Sequence, residues 1–158
     1  MKKPQGGFTL IELIMVIVLL GVLAAFALPR FANLGRDARL AVLDGAMGSV
    51  RSAAAIARSA QLAGGAGRND EVTLEGAIIE MQNGYPRATA SAPGAARGGI
   101  MLAAQLSEDF EGIPAANNIM TIRLLDAPRR ADCSFIYEGP AADSQQPPSV
   151  YISSIDGC

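Results

Sequence analysis

Gly6-Gly7-Phe8-Thr9-Leu10-Ile11-Glu12-Leu13-Ile14 opens an apolar run that extends to Leu28, with Glu12 as its one charged residue. At about 1.5 Å of helical rise per residue the run reaches roughly 31 Å, enough to cross a bilayer. A carboxylate inside such a run is costly and marks a functional position. No Lys, Arg or His lies between Phe8 and Leu28 to pair with it. A cut between Gly7 and Phe8 would create the missing cation. The new α-amine of Phe8 would stand four residues before Glu12, on the same helix face.

Two plainer readings compete. In a secretory signal, Lys2 and Lys3 form the basic region and Ala25-Phe26-Ala27 the cleavage site. In a single-span anchor, the run stays uncut. Neither explains glycine, phenylalanine and glutamate at these spacings. The mature N-terminus separates the three: Phe8, Leu28 or Met1.

Composition narrows the function classes. The chain has 158 residues, of which 50% are apolar but only 5% aromatic, so the core is modest. The formal charge is −2, and loss of Lys2 and Lys3 takes it to −4, which offers no broad attraction to nucleic acid. Histidine is absent, and with it the commonest general base and metal ligand. Asp126, Asp132, Asp143 and Asp156 follow no metal-loop spacing and read as solvated side chains. No nucleophile motif or phosphate loop is present, so neither an enzyme nor a cofactor is expected. Lys2 and Lys3 before the apolar run hold the N-terminus in the cytoplasm and send the remainder across the membrane. In an exported chain, the pair Cys133 and Cys158 favours a disulfide over two free thiols.

Beyond the apolar run the pattern stays helical to about Leu62 but becomes amphipathic. Phe31, Leu34, Ala38, Val42, Ala53, Ile56 and Ala60 fall on one side; Leu40, Leu43, Met47, Val50 and Ala54 fall opposite. Two apolar faces predict two partners, the chain's own sheet and a neighbouring molecule. Gly45 and Gly48 mark close helix approach. Gly21 and Pro29 are weak points, since Pro29 denies the carbonyl of Ala25 its donor, and a kink or melted stretch is expected over residues 21–29. The helix stops at Gly64-Gly65-Ala66-Gly67. Val72–Leu74 and Ile78–Met81 read as strands, residues 83–86 as a turn, and Ala88–Gly99 as an exposed loop. Ile100–Leu106 reads as a short helix, with Ser107–Pro114 leading out of it. Ile119–Leu124, Ser134–Tyr137 and Val150–Ser153 read as an antiparallel sheet.

Gly7-Phe8-Thr9-Leu10-Ile11-Glu12 before an apolar helix resembles the class III signal of type IV prepilins and of type II secretion pseudopilins. Asn83-Gly84-Tyr85-Pro86 and the C-terminal cysteine pair resemble the mannose-sensitive-haemagglutinin subset of type IVa major pilins. The resemblance implies an α+β pilin fold: a long N-terminal helix, apolar then amphipathic, packed on a small antiparallel sheet. It divides the chain into a cleaved leader (residues 1–7), a membrane and fibre-core helix (8–29), and a periplasmic, later extracellular, globular region (30–158). It implies cleavage between Gly7 and Phe8 by a prepilin peptidase, N-methylation of Phe8, and assembly through Phe8 and Glu12 of neighbouring subunits. The implied partners are identical subunits, the peptidase–methyltransferase, the inner-membrane assembly machinery with its ATPase, and the membrane itself before assembly. The implied setting is a Gram-negative inner membrane, then a surface pilus serving attachment, biofilm formation or motility. A secretion pseudopilin and a minor pilin are the alternatives.

Overall fold

The computed structural model describes residues 9–92, 94–144 and 146–158, and for residues 28–33 the backbone alone. In chain order the elements are α1 (Leu10–Ala63), β1 (Val72–Leu74), β2 (Ala77–Ile79), β3 (Met81–Gln82), β4 (Tyr85–Pro86), β5 (Arg97–Gly98), α2 (Ile100–Ala103), β6 (Phe110–Ala115), β7 (Ile119–Leu124), β8 (Ser134–Glu138) and β9 (Ser149–Ser154). The fold is α+β. Two compact units divide the chain between Ala38 and Arg39.

In the first unit, Leu10–Ala27 is helical and none of this stretch is buried. The second unit holds the core. Leu43, Met47, Val50, Ala54, Ala57 and Gln61 are buried at alternating spacings of four and three, the stripe an amphipathic helix turns to its domain. Ala46 and Ala53 widen that stripe. Ala53 therefore belongs to the buried face and not, as its angle suggested, to the outer one: a methyl group at the stripe's margin is small enough to be covered. Val42, Ile56 and Leu62 are exposed. Nothing among the described residues lies within 4 Å of a Cβ built on Gly45 or Gly48, so neither glycine marks a close approach to them. At the helix C-terminus Gly65 takes φ +65°, its N–H donates to Leu62 O, and Ala66 N–H donates to Gln61 O. This is a Schellman ending, and it explains why the glycine run stops the helix.

Opposite the helix, β6-β7-β8-β9 form an antiparallel sheet. Met120, Ile122 and Leu124 of β7 and Phe135 and Tyr137 of β8 alternate inward, all nearly or fully buried. Strand β6 falls within residues expected to be irregular. Pro114 obscured it, yet β6 is an edge strand, where a missing N–H is tolerated. The hairpin β1–β2 turns at Glu75-Gly76 and β3–β4 at Asn83-Gly84, each with both residues at positive φ, as two-residue hairpins require. Tyr85-Pro86, read as part of a turn, is thus the second strand of a hairpin. The segment Ala88–Gly99 is not wholly an exposed loop either. Its residues Arg97–Gly98 run parallel to β2, and Ala88, Gly98 and Gly99 are buried. A Cβ on Gly99 would stand 2.0 Å from the Arg87 carbonyl oxygen, so that close approach needs glycine.

Polar side chains fasten these pieces. Arg39 donates to the carbonyls of Asp126 (3.0 Å) and Cys158 (3.1 Å). Asn83 Nδ2 donates to the carbonyls of Ala141 and Ala142, and Asn118 joins Ala88 N–H to Pro140 O. Cys133 and Cys158 are disulfide-bonded and buried, which ties the last residue beside the start of β8. Tyr137 donates its buried hydroxyl to Pro86 O at 2.6 Å. Burial, with the neighbouring Tyr85 phenol second, raises its pKa above the usual value of about 10.

Two consequences are measurable in the full-length protein in detergent. Replacing both Cys133 and Cys158 by serine should lower unfolding free energy by about 3.5 kcal/mol for a loop of this size. An unchanged denaturant midpoint would show that the bond contributes nothing to stability. Above pH ~10 the unfolded chain releases the Tyr137 proton while the folded chain keeps it, so stability is full below that pH and falls as pH rises past it. Tyr137→Phe should cost about 1 kcal/mol at neutral pH and flatten the alkaline fall. A fall as steep in the variant would assign it to other groups.

Candidate functional site

The apolar helix begins with a reciprocal pair of hydrogen bonds. Thr9 N–H and Thr9 Oγ1 each donate to Glu12 Oε2 at 2.8 Å, and Glu12 N–H donates to Thr9 Oγ1 at 3.3 Å. Thr9 is the residue before the first helical one, and Glu12 is the third residue inside. Together they form a capping box, which satisfies amide groups that the first turn leaves without partners. Thr9 O accepts the first helical bond, from Leu13 N–H at 3.3 Å. All these groups are exposed.

Both donors of Thr9 converge on one oxygen. The other, Glu12 Oε1, meets no partner among the described residues. A carboxylate accepts about four hydrogen bonds, so Glu12 can take a cation as a further partner without releasing Thr9. Gly7 and Phe8 lie outside the described residues. The capping contact of Thr9 with Glu12 is what reading the sequence missed. The signal was there: Thr-x-x-Glu ahead of an apolar run is a helix-start signature.

Past Glu12 the rod is uniformly apolar. Leu13, Met15, Ile17, Leu19, Leu20 and Leu23 are each more than half exposed, although they are large hydrophobic side chains. The helix is unbroken at Gly21, where nothing lies within 4 Å of an added Cβ, and its backbone continues through Pro29. The disulfide pair Cys133 and Cys158 lies in the other unit, apart from this rod in sequence.

The remaining sequence candidates do not gather into a reactive centre. Asp126 faces Arg39 at 3.8 Å and Asp132 faces Arg129 at 3.6 Å. Among the described residues no three His, Cys, Asp or Glu side chains cluster to hold a metal ion. A cleft of the second unit runs beside Ser49, Ile56, Ala77 and Leu106. Its one ionisable described lining residue, Glu75, accepts a hydrogen bond from Gln105.

Comparison with known proteins concerns the first third of the chain. Residues 2–28 match the prokaryotic N-terminal methylation motif. The type IV narrow pilus major component of Thermus thermophilus is 55% identical over 51 residues, covering 32% of this chain and 44% of that protein. A type IV major fimbrial protein of Dichelobacter nodosus is 40% identical over 53 residues, covering 34% of each. The type II secretion system core protein G of Pseudomonas aeruginosa is 36% identical over 52 residues, covering 33% of this chain and 37% of that protein. The chain thus spans less than half the length of these relatives. No solved structure matches. The N-terminal third is homologous to type IV pilins and to a secretion pseudopilin, and Thr9 and Glu12 both fall within the matched motif.

Thr9→Val should remove the hydroxyl contacts and fray the helix start. Amide hydrogen exchange of residues 10–13, in detergent-solubilised full-length protein, should speed up in Thr9→Val and stay near the parent rate in Thr9→Ser. Equal rates in all three would mean that the capping box does not hold the first turn.

Proposed function

We propose that this chain is a type IV prepilin, the structural subunit of a pilus, cut between Gly7 and Phe8 and methylated on the Phe8 amine. The observation that carries this reading is an 18-residue apolar helix, Leu10–Ala27, left wholly uncovered by its own fold, with its single carboxylate at the end nearest the cut. Before assembly the helix lies in the inner membrane, with the second unit on the periplasmic side. After assembly it lies among identical helices in the core of a surface filament. Prepilin peptidase and the inner-membrane assembly machinery are the partners that process and raise it.

The chemistry of assembly follows from the rod. Lipid and a bundle of apolar helices are about equally apolar, so the hydrophobic term changes little on transfer. Close packing and specific polar contacts must then set the register. Cleavage supplies the α-amine of Phe8; Thr9 holds Glu12 Oε2, and Oε1 has no partner among the described residues. An amine of a neighbouring subunit fits that oxygen. In a low-dielectric bundle either charge by itself is costly, so the pair forms only when two subunits meet in register. Gly21 and Pro29 are the points where the helix loosens as it packs into the fibre. The chain's work is mechanical, with attachment, biofilm formation or motility as its use, and no cofactor enters it.

The similarity to core protein G favours one second reading, a pseudopilin acting in protein secretion. Shearing cells separates the two. A pilus subunit is released in long surface filaments, whereas a pseudopilin stays with the envelope.

Glu12→Ala should leave the subunit stable in the membrane and reduce sheared filaments by roughly a hundredfold, the scale of losing a charge pair of a few kcal/mol. Filaments at parental abundance would refute the pairing. Gly7→Leu should retain the leader, seen as a heavier band on a denaturing gel; a band at the mature position would move the cut elsewhere.

A further inference from the structure

The four-stranded sheet ends in two unlike edges. On one side, β6 carries Glu111, Gly112 and Pro114, each of which discourages the addition of another strand. On the other, β9 contains no charged residue, proline or glycine, and its Tyr151 and Ile152 are exposed to 44% and 46%. Such an edge is a template for a further strand.

The sequence of β9 indicates what that strand is. Ser149-Val150-Tyr151-Ile152-Ser153 reads alike in both directions: serine outermost, a β-branched aliphatic next, tyrosine at the centre. Two copies laid antiparallel about a twofold axis at Tyr151 place Val150 opposite Ile152, Ser149 opposite Ser153, and Tyr151 opposite itself. Residues opposite each other in an antiparallel pair share one face of the sheet. Tyr151 pairs with Ile136 in the existing register, and Ile152 and Val150 pair with Phe135 and Tyr137. The tyrosine pair would therefore fall on the outward face, and both aliphatic pairs on the face that carries the core. Aromatic and β-branched cross-strand pairs of this kind favour association. Contact through one identical patch closes on itself. Arg51 Nη2 donates to Val150 O at 2.8 Å and so occupies one of that oxygen's two acceptor positions, leaving the other.

We infer that β9 is a docking strand for β9 of a second copy of this chain, joining two four-stranded sheets into one across a twofold axis. Two folded copies suffice for this contact, whatever else the chain assembles into. In filaments it would link one to another laterally; in the absence of filaments it would still make dimers.

Full-length Tyr151→Cys, with the Cys133–Cys158 bond intact, has one unpaired thiol placed on the twofold axis. Opposed Cα atoms there would be about 4.5–5.5 Å apart, within disulfide reach. Mild oxidation in detergent should give disulfide-linked dimers at about ten times or more the yield of Thr121→Cys, which shares the outward face two strands inward. Equal yields would overturn the proposal. Adding Ile152→Lys to Tyr151→Cys puts an ammonium group on the edge and should cut the dimer yield by about tenfold or more. An undiminished yield would show the thiols meeting by another surface and would also overturn it. Should that variant not fold, Ser153→Lys tests the same edge.

Discussion

The uncovered apolar surface of Leu10–Ala27 constrains everything else in this molecule. No soluble fold leaves so long a run of leucine, isoleucine and valine facing outward, because each such side chain favours burial by about 1.5–3 kcal/mol. The surface has to be met by lipid or by protein. Either can serve, and the hydrophobic term barely distinguishes them. In the proposed pilus role a subunit is stored in one environment and used in the other. Selectivity then rests, on that proposal, with the few groups that lipid cannot satisfy, Glu12 foremost.

The same helix serves two purposes because its composition changes along its length. After Ala38 burial narrows to a stripe from Leu43 to Gln61: the sheet residues Met120, Ile122, Phe135 and Tyr137 share one core cluster with Leu43, Met47, Val50 and Ala54, while Ala57 clusters with Val72, Ile79 and Met81. Outside that stripe Val42, Ile56 and Leu62 stay open. The second unit compensates for few aromatic residues with specific ties. The disulfide holds the last residue, Arg39 caps its carbonyl, and Tyr137 pins the β3–β4 hairpin by a buried hydrogen bond.

Much of this was legible in the sequence, for physical reasons. A run of apolar residues with one carboxylate has few interpretations, and the strands β7, β8 and β9 alternate clearly enough to be read. The helix end was legible because Gly65 supplies a conformation that other residues resist. The errors cluster where local rules yield to context. Pro114 speaks against a strand until the strand is known to lie at an edge. Gly98 and Gly99 suggest flexibility, yet they are buried because neighbouring atoms come too close for a side chain. Ala53 stands about 60° from Val50 around the helix, as far to one side as the buried Met47 to the other, so it lies at the margin between the two apolar faces. The homologous N-terminal third carries the legible function. The remaining two thirds were read from local periodicity and turn residues, and there the hairpin of Tyr85-Pro86 could not be told from a turn.

One measurement bears most directly on the role given to Glu12: the intact mass of the protein recovered from the cell surface. The account requires a chain that begins at Phe8 and carries one added methyl group on its amine, the cation to which a neighbouring carboxylate can bind. A chain that begins at Met1 or at Leu28 would lack that amine beside Glu12, and assembly through the pair would be excluded.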